Sequence, residues 1–146
     1  MEKSVNLKEV FMNEFGLEEQ DIRTYSPLTL AYIGDAIFEL VVRTVLVERK
    51  NTQPEKLHKA ATKVVKAETQ AVMIELLKED LTEEELAVFK RGRNAKAVTR
   101  AKNATMSEYR RATGFEALMG YLYLKGDMER MIQLISSGIE KAEVTL

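Results

Sequence analysis

The stretch Ser26-Pro-Leu-Thr-Leu-Ala-Tyr-Ile-Gly-Asp35-Ala-Ile-Phe-Glu39-Leu-Val-Val-Arg43 decides the fold. A serine ahead of a proline is a helix start, because the hydroxyl caps free backbone N–H groups and proline fits the first helical position. From Pro27 to about Arg49 the apolar residues recur at helical spacing and not at period two. Asp35, Glu39 and Arg43 interrupt the apolar run, whereas a bilayer span needs about 20 largely uncharged residues. The segment therefore reads as a helix packed inside a protein, with no membrane association.

The same periodicity extends outward in both directions. Leu7, Val10, Phe11 and Phe15 predict a short amphipathic helix ending near Gly16. Pro54 opens a helix whose apolar face continues without a break from Leu57 to Leu77. Thr82 with Glu85 has the form of a capping box and predicts a helix over about Glu83 to Lys90. A less regular polar stretch runs from Arg91 to Ser107, followed by helices over Arg110 to Leu124, closed by Gly126, and Met128 to Lys141. The expected fold is all-α, a helical bundle forming a single domain over residues 1–146; a 45% hydrophobic chain of this length can fill one core. No internal repeat or linker composition divides it.

Two acids stand out. Asp35 sits inside the long helix beside Gly34, and each is a poor helix former, the glycine by about 1 kcal/mol relative to alanine. Two local costs side by side have two readings. In one, Asp35 is a metal-binding carboxylate and Gly34 admits a close neighbour; in the other, Asp35 pairs with an arginine and the glycine eases helix packing. Glu116 is the second, the only acid between Arg110 and Lys125, again within an otherwise apolar helix. If the two helices converge, Asp35 and Glu116 offer the few carboxylates that a magnesium ion prefers alongside retained waters. Glu39 shares a face with Asp35, but Arg43 four residues on makes an ion pair its expected role.

Charge is informative locally. The net charge is -1, which by itself does not mark a nucleic-acid binder. Between Lys90 and Arg111, however, eight bases face one acid, Glu108. Such a segment suits a phosphate backbone, although a solvated basic loop would have the same composition. The chain contains no cysteine, which removes disulfides, thiolate metal sites and thiol nucleophiles. With no signal-like N-terminus either, a cytoplasmic location is expected.

These residues carry a resemblance. Tyr32-Ile-Gly-Asp35-Ala-Ile-Phe-Glu39-Leu is similar to the signature helix of the ribonuclease III endonuclease domain, and Phe115-Glu116-Ala-Leu-Met-Gly120 to that family's second catalytic helix. The likeness runs from about Tyr25 to Leu146. It is greatest to the Mini-ribonuclease III branch, through Leu57-His58, Arg91-Gly-Arg-Asn-Ala-Lys96 and Tyr109-Arg110, and no residues remain here for a separate double-stranded-RNA-binding domain. The resemblance implies a magnesium-dependent endoribonuclease cutting double-stranded RNA, with Asp35 and Glu116 as catalytic metal ligands. It further implies a ribosomal RNA precursor (23S type) as substrate. Two of the family's four active-site acids are replaced, by Ala31 and Thr113, which implies a pared-down site that takes a second magnesium only with RNA phosphate. The same gaps support an alternative, a non-catalytic module that binds RNA or a ribosome.

Duplex RNA is read mainly by shape, 2′-hydroxyls and phosphates, and the chain shows no row of aromatics for stacking single-stranded bases. The expected RNA contacts are Arg93, Asn94, Lys96, Arg100, Lys102, Tyr109 and Arg110. His58, the only histidine, is expected to make a structural hydrogen bond, and Tyr121 and Tyr123 to lie in the core or an interface. The family resemblance also implies a two-fold homodimer, with the aromatic at Tyr32 plugging into the partner; Tyr32 with apolar neighbours such as Leu28, Ile33 and Ile37 is the expected interface.

Overall fold

A computed structural model describes residues 6–96 and 104–146, and among these it contains helices and no strand. In order they are α1 (Leu7–Glu14), α2 (Pro27–Arg49), α3 (Pro54–Val65), α4 (Ala67–Leu77), α5 (Glu83–Asn94), α6 (Met106–Lys125) and α7 (Met128–Lys141). Short 3-10 turns at Ile22–Thr24 and Lys78–Asp80 complete the connections. No helix of the described residues is long and apolar enough to cross a membrane.

The starts and stops follow local chemistry. Ser26 accepts a hydrogen bond from the Thr29 backbone N–H ahead of Pro27. Thr82 and Glu85 form the expected reciprocal capping box, and Thr105 with Glu108 forms a second, so α6 starts four residues earlier than its apolar periodicity suggests. Gly126 ends α6 at φ 88°, a left-handed conformation that glycine reaches without steric cost.

Two expectations are corrected. The long helix predicted from Pro54 to Leu77 is two helices, broken at Lys66, whose extended backbone (φ -66°, ψ 154°) turns the chain between α3 and α4. Neither glycine nor proline marks that break. The irregular stretch predicted from Arg91 also starts too early, because α5 continues to Asn94. Gly92 is what lets it continue against α6, since a Cβ there would meet the Gly114 Cα at 2.9 Å.

Helix α6 is the axis of the fold. Every residue from Ala112 to Tyr123 is buried except Glu116, as expected of a helix surrounded by others. It packs against α2, α4, α5 and α7. Phe115 meets Phe38 of α2 edge-to-face at 5.1 Å, and Phe89, Met73, Ile74, Leu118, Leu122 and Met131 fill the remaining core. At the far end Arg130 of α7 reaches the buried Glu85 through two hydrogen bonds of 2.8 Å. The partly open position at Glu116 is thus the one interruption in the central packing.

Candidate active site

Helices α2 and α6 cross in backbone contact. A Cβ on Gly34 would fall 1.7 Å from the Glu116 carbonyl oxygen, and one on Gly120 would fall 2.0 Å from that of Leu30. Only glycine fits at either point. The first contact fixes Glu116 against α2 at the level of Gly34, so the carboxyl of Asp35, the next residue, comes close enough to act on that of Glu116. The two acids singled out in the sequence are therefore neighbours across the helix crossing.

Their environments differ. Asp35 is exposed and Glu116 half-buried, so the desolvation cost falls on Glu116. Burial pushes the Glu116 carboxyl up to about 8, and the adjacent Asp35 adds to the effect. A single opposing influence is the Gln70 side chain from α4, whose Nε2 donates to Glu116 Oε2 at 3.5 Å. Ala31 and Thr113, where the resemblance places two further acids, are both buried, and the Thr113 hydroxyl is committed to the Tyr109 carbonyl at 2.9 Å.

The donor set suits a small hard cation. Two neighbouring carboxylates repel when both are ionised, and a divalent ion beside them removes that repulsion. Among the described residues no group of three or more His, Cys, Asp or Glu gathers around an ion position. The remaining ligands would be waters or substrate oxygens, the arrangement magnesium ordinarily keeps.

A second, basic feature lies beside it. Arg93 and Asn94 at the end of α5 and Ser107, Arg110 and Arg111 at the start of α6 line one groove, closed by Glu75 of α4. Along α6, Arg110 precedes Glu116 by roughly 9 Å at 1.5 Å per residue. Of the expected RNA contacts, Arg93, Asn94 and Arg110 come together here; Lys96 is exposed just beyond α5 and Tyr109 is half-buried outside the groove lining. Arg100 and Lys102 lie outside the described residues. Arg111, Ser107 and Glu75 were not among the expected groups. Glu75 holds Arg111 at 3.6 Å, an i-to-distant pairing between two helices that no local spacing announces.

Other expectations fare variously. Glu39 pairs with Arg43 at 3.4 Å, as its spacing indicates. His58 is exposed and its ring makes no hydrogen bond among the described residues; it lines a shallow groove with Arg43, Leu46, Val47 and Leu57. The structural hydrogen bond expected of it is not found among the described residues, where His58 lies exposed on α3. Tyr121 and Tyr123 are core residues, and the Tyr121 hydroxyl donates to Glu84. Tyr32 is 82% exposed on α2 and Leu28 is exposed as well, but Ile37 is buried in the core, which removes it from the expected interface.

Residues 28–127, which include both glycine contacts and both acids, match the Ribonuclease III domain family. The chain is 48% identical over 128 residues to the Mini-ribonuclease 3 of Enterococcus faecalis, covering 86% of this chain and 97% of that one. To the Mini-ribonuclease 3 of Clostridium tetani it is 45% identical over 130 residues, covering 88% and 85%. The fold matches a Fusobacterium nucleatum protein solved by X-ray crystallography with a TM-score of 0.74 and 34% identity, over 84% of this chain and 98% of that one. Taken with the glycine-locked crossing of α2 and α6, these likenesses make the chain a member of the ribonuclease III domain family, in its Mini-ribonuclease 3 branch, and so an endoribonuclease.

Proposed function

We propose that this endoribonuclease cleaves double-stranded RNA with magnesium held by Asp35 and Glu116. The observation that carries the reading is the convergence of these two acids across a crossing where the two helix backbones touch. Bound there, the cation would supply an activated water and offset charge on the leaving oxygen of a phosphodiester. The protein's own part is positional. The Gly34 and Gly120 contacts hold the carboxyl pair in register, and the groove of Arg93, Asn94, Arg110 and Arg111 offers phosphate contacts alongside it. Lys96, Arg100, Lys102 and Tyr109 extend this surface in the same proposal.

Cutting both strands of a duplex calls for two sites, so we take the working form as a two-fold homodimer. Tyr32 supports this: a large aromatic 82% exposed on the helix that carries Asp35, with Leu28 and Leu40 also exposed on α2, is an apolar surface suited to a second copy. A ribosomal RNA precursor in the cytoplasm is the proposed natural substrate, consistent with the family branch. The deciding experiment incubates a duplex RNA with the protein and magnesium, beside Asp35→Asn. Cleavage by the native chain that disappears with Asp35→Asn supports the assignment. Equal cleavage by both proteins at saturating magnesium overturns it.

A further inference from the structure

We propose that Gln70 is a positioning residue for the active site: its side-chain amide ties the α3–α4 break to Glu116 and fixes how that carboxylate meets a divalent cation. The proposal rests on the reading of Asp35 and Glu116 as the cation site. Gln70 is 2% exposed. Its Nε2 donates to the Val65 carbonyl at 2.7 Å and to Glu116 Oε2 at 3.5 Å, using both amide hydrogens. A carbonyl at 2.7 Å requires a donor opposite it, so the nitrogen and oxygen of this amide cannot be exchanged.

The Val65 carbonyl is available because α3 stops there. Lys66 leaves the helix, and two side chains of the first turn of α4 take up the carbonyls at the end of α3: Thr69 Oγ1 bonds to Lys63 at 2.7 Å, and Gln70 bonds to Val65. The break therefore anchors the amide that points at Glu116. The other end of that amide argues for function over packing. Gln70 Oε1 is buried with no hydrogen-bond partner among the described residues. An unpaired buried carbonyl oxygen costs stability, and an apolar side chain of the same length would avoid the cost. What the amide alone provides is a donor that stabilises the ionised Glu116 carboxylate in one orientation, as groups behind metal ligands do.

The test compares Mn2+ binding to three proteins, the native chain, Gln70→Met and Asp35→Asn, by the electron paramagnetic resonance signal of free Mn2+ at pH 7. Methionine keeps the length and volume of glutamine and removes the donor. Expected are a loss of Mn2+ binding in Asp35→Asn and a roughly 10-fold weaker affinity in Gln70→Met, with thermal melting of the metal-free Gln70→Met close to native. Native affinity in Gln70→Met, with binding lost in Asp35→Asn, overturns the role of Gln70 and leaves the cation site standing. Native affinity in Asp35→Asn overturns both. A second readout needs no variant: in the native protein the Gln70 side-chain NH2 resonances should shift when magnesium is added. A side chain that serves only the helix break would leave them in place, and that result overturns the proposal.

Discussion

Gly34 of α2 lies directly against the carbonyl oxygen of Glu116 in α6, with no room for even one further carbon: a Cβ at Gly34 would stand 1.7 Å from that oxygen. The two residues belong to the two segments that carry the acids, so the contact that packs the helices also sets the distance between Asp35 and Glu116. Gly34→Ala must push α2 and α6 apart, and Gly120 on the next turn of α6 has no slack to absorb the movement. Overpacking commonly costs about 1–3 kcal/mol, and a backbone clash this close belongs at or above the upper end. Thermal melting should show a drop of ten degrees or more for a domain of this size. A Gly34→Ala protein that melts within two degrees of native would show that the helices can separate freely, contrary to the packing.

The protonation of Glu116 gives a pH signature. Its carboxyl is pushed up to about 8 by burial and by Asp35, against 4.5 in the unfolded chain. A carboxyl raised in the folded state contributes stability that is present below its unfolded value and is lost as pH rises through its folded value. The metal-free protein should therefore lose stability between about pH 4.5 and 8. Magnesium, which favours the ionised pair, should stabilise it most at the upper end of that window. Melting curves at several pH values with and without magnesium test this, with Glu116→Gln as the control that flattens the metal-free decline. A metal-free protein whose Glu116-dependent stability rises across the window would overturn the sign.

How far these features can be read from residues alone depends on whether their signals are local. The Ser26-Pro27 start, the Thr82–Glu85 box and the Gly126 stop are set by neighbours within four residues, and each appears where the sequence puts it. The pairing of Asp35 with Glu116 spans 81 positions and was legible only through the family resemblance; Gly34 hinted at a close neighbour without naming it. The Lys66 break was illegible although the hydrogen bonds that cap it are local. Side chains of Thr69 and Gln70 replace the missing helical hydrogen bonds, and apolar periodicity runs through the break undisturbed. Gln70 went unnoticed because its contact with Glu116 joins residues more than forty positions apart.

The basic groove predicts a salt effect. Arg93 and Arg110 come from different helices and line one concavity, and each phosphate they neutralise releases counterions. Arg110→Ala should weaken duplex RNA binding and lower the slope of log affinity against log salt by about 1, with base sequence immaterial. The maximal cleavage rate at saturating RNA should change far less than the affinity. Filter binding at several salt concentrations measures it, and an unchanged salt slope would remove Arg110 from the RNA surface.

Glu85 and Arg130 make the last prediction, one about stability away from the site. Glu85 is buried, closes the N-terminus of α5 through the Thr82 N–H, and receives two hydrogen bonds from Arg130 of α7. The Arg130 guanidinium holds its carboxyl below the usual range, with the Thr82 N–H acting in the same direction. A depressed carboxyl contributes stability that is present above its unfolded value and lost as pH falls through its folded value, so this pair is weakened only in acid. Arg130 keeps part of its side chain in water, which places Arg130→Ala at about 3 kcal/mol, the low end for breaking a buried pair, because the Glu85 charge is left without its partner. Denaturant unfolding at pH 7 should show that loss, and the gap to native should narrow in acid, as pH falls toward the lowered range in which the paired Glu85 protonates. Because neither Glu85 nor Arg130 bonds to Asp35 or Glu116 among the described residues, magnesium binding should survive Arg130→Ala in the fraction that remains folded; a gap that stays constant as acid protonates Glu85 would mean that Arg130 acts by packing and not by charge.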